Sequence, residues 1–286
     1  MNPRTISAPC AGKTVVITGA AEDLSQAAAV AFATAGVKRI AMVNSSGTSD
    51  AIEKASQDAA EAGRLAPELF FFHLIIGEPA SIDTELPEIH SRLGHVDILT
   101  NATEHISLFN IQRGTIAASD ICSWEVLEAS VEDSFVVARI LLPLLLKGTE
   151  KTFVNLISAR SPLPQPTSGT HGLSEFAMIH LSECLMLDYG NKGLLAYSLQ
   201  PGHYKAEDMV NLKLACEVLV YLPSEQREWL GGRHLKCEDM CDVISRDDWD
   251  AQNDLLKIGT SVKRIPAAPE KRRAEKRRGR VPRSSY

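Results

Sequence analysis

Residues 13–46 read KTVVITGAAEDLSQAAAVAFATAGVKRIAMVNSS, and the fold is decided here. Thr14–Thr18 is a short, β-branched apolar run with the length and composition of a strand buried on both faces. From Asp23 the apolar spacing changes to that of a helix, which predicts an inner face of Leu24, Ala27, Ala28, Ala31 and Phe32. Gly36 then suits the left-handed position that ends a helix. A second apolar run at 39–43 completes a strand–helix–strand unit, and a right-handed crossover makes its two strands parallel neighbours.

The same alternation continues outward. Further strands are expected at 69–74, 96–100, 152–157 and 194–199, with helices between them, and the string REWLGGR at 227–233 reads as a helix end, a turn and a last strand. This pattern gives an α/β protein with a doubly wound parallel sheet, and there is no internal repeat. Trp124 and Trp229 are expected to pack. The 44% hydrophobic and 23% charged residues are those of an ordinary globular chain, and no apolar run is long enough to span a bilayer. Residues 1–13 lack the features of a signal peptide, so a cytoplasmic setting is expected, with no membrane or nucleic-acid partner.

Six scattered cysteines are read as reduced thiols. His234, Cys237 and Cys241 are the one set resembling metal ligands, but they lack the second pair that would complete a tetrahedron, so no metal is expected. The net charge of −6 is unevenly distributed: 263–286 holds ten lysines and arginines against two acids, while 1–262 is strongly acidic. The chain therefore divides into a folded domain, 1–262, and a basic tail, 263–286, too poor in large apolar side chains to offset the entropy of ordering. That tail is read as a solvated extension touching the acidic body, with nuclear import or an anionic partner as the alternatives.

The strings KTVVITGA, GHVDILTNA, WEVLEASVEDSFVVARILLPLLLK, TFVNLIS, AYSLQPG and EQREWLGGR, in this order, resemble the short-chain dehydrogenase/reductase family, particularly its fungal group associated with secondary metabolism. The resemblance covers 12 to about 258. It implies a three-layer, single-domain Rossmann-type fold and a nicotinamide dinucleotide. The residues expected around that cofactor are Thr18, Gly19, Asp23, Ser25, Asn44, Asn101, Pro201 and Gly202. It also implies a homodimer or homotetramer formed by the helices that carry 135–146 and 174–187.

Residue by residue, the chain departs from the family in one direction. The family's TGxxxGxG loop is Thr18-Gly19-Ala20-Ala21-Glu22-Asp23-Leu24-Ser25 here, with an acid at the second glycine. Asp23 suits the start of a helix, yet it competes with a phosphate for the same N–H donors, and Glu22 adds a second charge. At roughly 5 Å and an effective dielectric near 20, each like-charge contact costs about 3 kcal/mol. Asn44-Ser45 offers no acid for a ribose hydroxyl and no base for a 2′-phosphate, the adenine-side aspartate corresponds to Ile75, and Glu104 stands where glycine is usual. The family's catalytic Asn, Ser, Tyr and Lys fall on Ser130, Ser158, His171 and Glu175. No cofactor, or weakly bound NADP(H) in preference to NAD, is therefore expected.

Ser158, His171 and Glu175 also have the residue types of an acid/base relay, since His171 and Glu175 are four apart on one helix face. A serine nucleophile would need an oxyanion hole, which the sequence does not supply. Drift in an idle site is the plain alternative. Three readings stay open: a non-redox enzyme (cyclase, isomerase or dehydratase) acting on a small secondary-metabolite intermediate; an NAD(P)(H)-dependent oxidoreductase with unorthodox residues; and a non-catalytic partner of an active homologue. The short stretch after Pro201-Gly202 implies a more open pocket than is usual in the family.

Overall fold

In the computed structural model the described residues are 9–19, 23–44, 49–103, 121–157, 169–202 and 209–240. Seven strands alternate with six helices in chain order. They are β1 (Thr14–Thr18), α1 (Asp23–Thr34), β2 (Arg39–Asn44), α2 (Ser49–Glu61), β3 (Glu68–His73), α3 (Pro79–Leu93) and β4 (Ile98–Asn101), followed by α4 (Ile121–Leu145), β5 (Thr152–Leu156), α5 (Gly169–Tyr189), β6 (Leu195–Gln200), α6 (Met209–Tyr221) and β7 (His234–Lys236). All strands are parallel, in the order β3-β2-β1-β4-β5-β6-β7. The chain thus winds outward twice from β1 and β4, and the three-layer expectation holds.

Each strand sends alternate side chains to opposite layers. Val15 and Ile17 join α1 and α6 in one apolar cluster; Val16, between them, joins α3, α4 and α5 in the other. In α1, Leu24, Ala28 and Phe32 are buried as expected, but the inner face also takes Ser25, Ala29 and Ala33, while Ala27 and Ala31 are only partly covered. The helix is rotated because α2 and α6 pack along its two flanks. Among the described residues no helix is long and apolar enough to cross a membrane.

The end of the sheet from which the strands start is held by one carboxylate. Asp97, 2% exposed, accepts hydrogen bonds from the N–H of Thr14 at 2.9 Å, from the N–H of Thr149 at 2.6 Å and from the Thr149 hydroxyl at 3.0 Å. Burial alone would raise its pKa, but these donors and the nearby His95 bring it below the usual carboxylate range. Gly148 lies against the backbone of Val96, where a Cβ would press into the carbonyl group, so β4 and the turn before β5 approach as only glycine allows.

At the far edge, His234 is buried on β7, and burial together with the Lys236 charge lowers its pKa to about 4. Cys237 is a buried thiol outside any disulfide, and Cys241 lies outside the described residues. A histidine whose folded pKa lies below its unfolded value of 6.5 contributes stability that is complete above pH 6.5. That contribution is lost as the pH falls towards 4. Urea denaturation between pH 7 and 4 is expected to show a loss on the order of 2–3 kcal/mol from this group, and His234→Gln should flatten the profile. An unchanged slope in the variant would exclude His234 as its source. Below about pH 4 the depressed Asp97 adds a second loss of the same sign.

Candidate functional site

The site lies where the strands end, at the carboxyl edge of β1, β4, β5 and β6, beneath the first turns of α1, α4 and α5. In a doubly wound sheet this crevice lies at the reversal of strand order, here between β1 and β4. A buried polar network ties the edge together. Thr18, the last residue of β1, donates its hydroxyl to Asn101 Oδ1 at 2.7 Å and accepts the N–H of Ala102 at 3.2 Å. Thr103 donates to the same Oδ1 at 2.8 Å. The Asn101 amide donates to Asn155 Oδ1 on β5 at 2.7 Å and to Ser134 Oγ on α4 at 3.3 Å. Asn155 passes the connection to α5, donating to the Met178 carbonyl at 3.1 Å. All four hydrogen-bonding positions of Asn101 are thereby used.

Gly19 follows Thr18 with φ +65, and a Cβ there would press into the Ala102 carbonyl oxygen. This first glycine of the loop is held by the crossing of two chain segments, whatever the loop binds. Asp23 begins α1 and is exposed; Ser25, two residues on, is fully buried with no partner for its hydroxyl among the described residues. A serine side chain thus fills the space that a third glycine would leave open between helix and sheet. Asn44 ends β2 half-buried, its carbonyl accepting the N–H of Leu74. Ile75 is 39% exposed, and its N–H is taken by Ser81 Oγ at 2.9 Å.

On α4, Ser130 is fully buried one turn before Ser134. On α5, Glu175 is fully buried and His171 lies one turn earlier; the side chain of His171 lies outside the described residues. Ser158 also lies outside them, as do Glu22, Ser45, Glu104 and the segment 203–208 after β6. Pro201 is buried, and Gly202, with φ +90, turns the chain out of β6 beside Glu238. The sheet therefore brings Thr18 and Asn101 into direct contact, sets Gly19 against Ala102, and places Ser130 and Glu175 on two helices packed side by side.

Three members of the network, Thr103, Ser134 and Asn155, were not anticipated from the sequence. Asn155 left a trace there, as the one amide inside the apolar run TFVNLI of a central strand. A buried amide in such a run must find partners. Trp124 departs from expectation in the other direction: it is 57% exposed near the start of α4, whereas Trp229 packs on the core as expected.

Both the sequence and the fold are similar to those of known proteins. The short chain dehydrogenase model matches residues 13–215. Short chain dehydrogenase citE of Monascus ruber is 30% identical over 272 residues, covering 90% of this chain and 92% of the relative. Short chain dehydrogenase pigC of the same organism is 28% identical over 269 residues, 88% of each. Among solved structures, a gluconate 5-dehydrogenase from Burkholderia cenocepacia, in complex with NADP and tartrate, superposes with a TM-score of 0.63. At 19% identity over 82% of this chain and 96% of that one, it supports the fold alone. With a strand order, a polar edge and a continuous match of this extent, the chain belongs to the short chain dehydrogenase family.

Proposed function

We propose that this family member is a non-redox enzyme, of the cyclase, isomerase or dehydratase type, acting on a small molecule of secondary metabolism. The observation that carries the reading is the burial of Glu175 on α5, one turn beyond His171, where the family resemblance expects a lysine. A buried carboxylate one turn from an imidazole favours its protonated form and fixes its orientation. His171 then gives its proton to a departing hydroxyl, or to one atom of the substrate, and takes a proton back from another atom. Ser158 and Ser130 supply hydroxyls to orient the reacting oxygen. No electrons change hands, so none of this calls for hydride.

The residues present do not fit a dinucleotide held in the family manner. The carboxylate of Asp23 opposes a diphosphate at the start of α1, Ser25 fills space at the same turn, and Glu175 cannot replace an ammonium beside a ribose. A second reading, an oxidoreductase using NADP(H) rather than NAD, is favoured by the dehydrogenase names of the relatives. Assembly is proposed on the outer faces of α4 and α5, where Phe135, Leu173, Phe176 and Leu187 are exposed. A second copy or an active homologue would cover them.

Titration of the full chain with NADPH and NADH, followed by nicotinamide fluorescence and thermal shift, is expected to show no binding at micromolar concentration. Saturation there would sink the non-redox reading and restore the second. With candidate intermediates, the product should equal the substrate in mass or be lighter by one water. His171→Phe should lower turnover about 100- to 10,000-fold, and Glu175→Gln should shift the pH profile. A product two hydrogens heavier or lighter would overturn the assignment.

A further inference from the structure

We propose that the basic segment 263–286 of this chain docks on the solvent face of the first half of α4, between Trp124 and Glu132. That face is unusual for a helix outside the core: Trp124 is 57% exposed, and Glu125, Glu128 and Glu132 are exposed beside and below it. Residues 124, 128 and 132 recur at a spacing of four, so indole and carboxylates form one stripe. The opposite face buries Ser130, Asp133 and Ser134. Among the described residues no cation pairs with any of the three glutamates, although exposed acids elsewhere, such as Glu88 with Arg92, have found partners.

The chemistry of the stripe asks for arginine. A guanidinium takes a carboxylate through two parallel hydrogen bonds and stacks on an indole, which an ammonium does less well. Segment 263–286 contains seven arginines and three lysines against two acids. The distances match as well. Glu125 to Glu132 spans about 10 Å along the helix axis, and in an extended chain the clusters Arg272-Arg273 and Lys276-Arg277-Arg278 stand about 10–13 Å apart.

Reach is no obstacle. The chain leaves β7 at the same edge of the sheet from which α4 sets out, and the order β4-β5-β6-β7 separates them by three strand spacings, about 14 Å. The 22 residues of 241–262 extend up to about 70 Å. Tethering gives an effective concentration near the millimolar range, enough for contacts that are weak one at a time. The apolar face proposed for assembly begins beyond Glu132, so the two surfaces adjoin without coinciding. This inference does not depend on which reaction the site performs.

Zero-length carbodiimide cross-linking of the full chain with peptide mapping tests it. Lys271 and Lys276 are expected to join Glu125, Glu128 or Glu132 at low salt, with the yield falling about fivefold or more in ~0.5 M sodium chloride. The triple variant Glu125→Gln, Glu128→Gln, Glu132→Gln should lose these links while keeping the wild-type circular dichroism. If it does not fold, the wild-type maps at the two salt concentrations decide alone. Links spread over acids of other helices, or no links from the segment, would overturn the proposal. So would links found only between nitrogen-15-labelled and unlabelled chains, since a second copy would then be the partner.

Discussion

Replacing Asn101 by leucine is expected to cost about 4 kcal/mol of unfolding free energy. The side chain is 1% exposed and holds four partners on four segments: Thr18 at the end of β1, Thr103 beyond β4, Asn155 on β5 and Ser134 on α4. Leucine matches its branching but leaves three hydroxyls and an amide oxygen facing each other with no donor or acceptor between them. Each such group costs about 1–3 kcal/mol when stranded away from water, and the sum is reduced because the serine and threonine rotors can turn. Asn101→Asp is the sharper probe. It keeps the shape and both acceptor contacts at Oδ1 but sets a carboxylate oxygen against Asn155 Oδ1, so it should destabilise at pH 7 and recover as the pH falls and the group takes a proton. Urea denaturation at pH 7 and pH 5 reads both effects. A cost below about 1 kcal/mol for the leucine variant would mean that the network is not what holds the edge of the site.

This network also marks where sequence reading stops. The unit β1-α1-β2 was legible because its signals are local: strand composition, helix spacing and a terminating glycine lie within 34 residues. Later strands were located to within two residues, and the displacements have causes that periodicity cannot show. β4 starts at Ile98, not 96, because the N–H of Val96 is taken by the Leu144 carbonyl at the end of α4. β6 starts at Leu195 because the N–H of Leu194 closes the turn onto Tyr189. In the site, Asn101 was legible as a residue of the cofactor edge, and His171 with Glu175 as a one-turn pair. Asn155 and Ser134 were not, because their partner lies 54 and 33 residues away along the chain. Trp124 was expected to pack because large aromatic side chains usually do; its exposure is a tertiary fact, set by which face of α4 the sheet claims.

The second large effect is expected at a residue that the reading of REWLGGR treated only as part of a helix end. Arg227→Ala should cost about 3 kcal/mol. Arg227 is 8% exposed, and its guanidinium donates to the carbonyls of Tyr221 at 2.8 Å and Glu225 at 3.2 Å, to Ser224 Oγ at 3.3 Å and to Glu225 Oε2 at 3.3 Å. It also lies 3.7 Å from the centre of the Tyr221 ring. These contacts finish α6, whose last turn has no basic residue of its own and whose terminal carbonyls would otherwise lack donors. A planar fork serves several acceptors at once; an ammonium is a point donor, so Arg227→Lys should recover less than half of the loss. The Arg227 carbonyl lies 3.5 Å from the buried Tyr197 hydroxyl on β6, so loosening this turn also loosens the seat of β6 in the sheet. Thermal melts of the alanine, lysine and methionine variants separate the contributions, since methionine keeps the stem and removes only the fork. If methionine were as stable as arginine, packing of the stem would account for the effect, and the guanidinium would not be what caps α6.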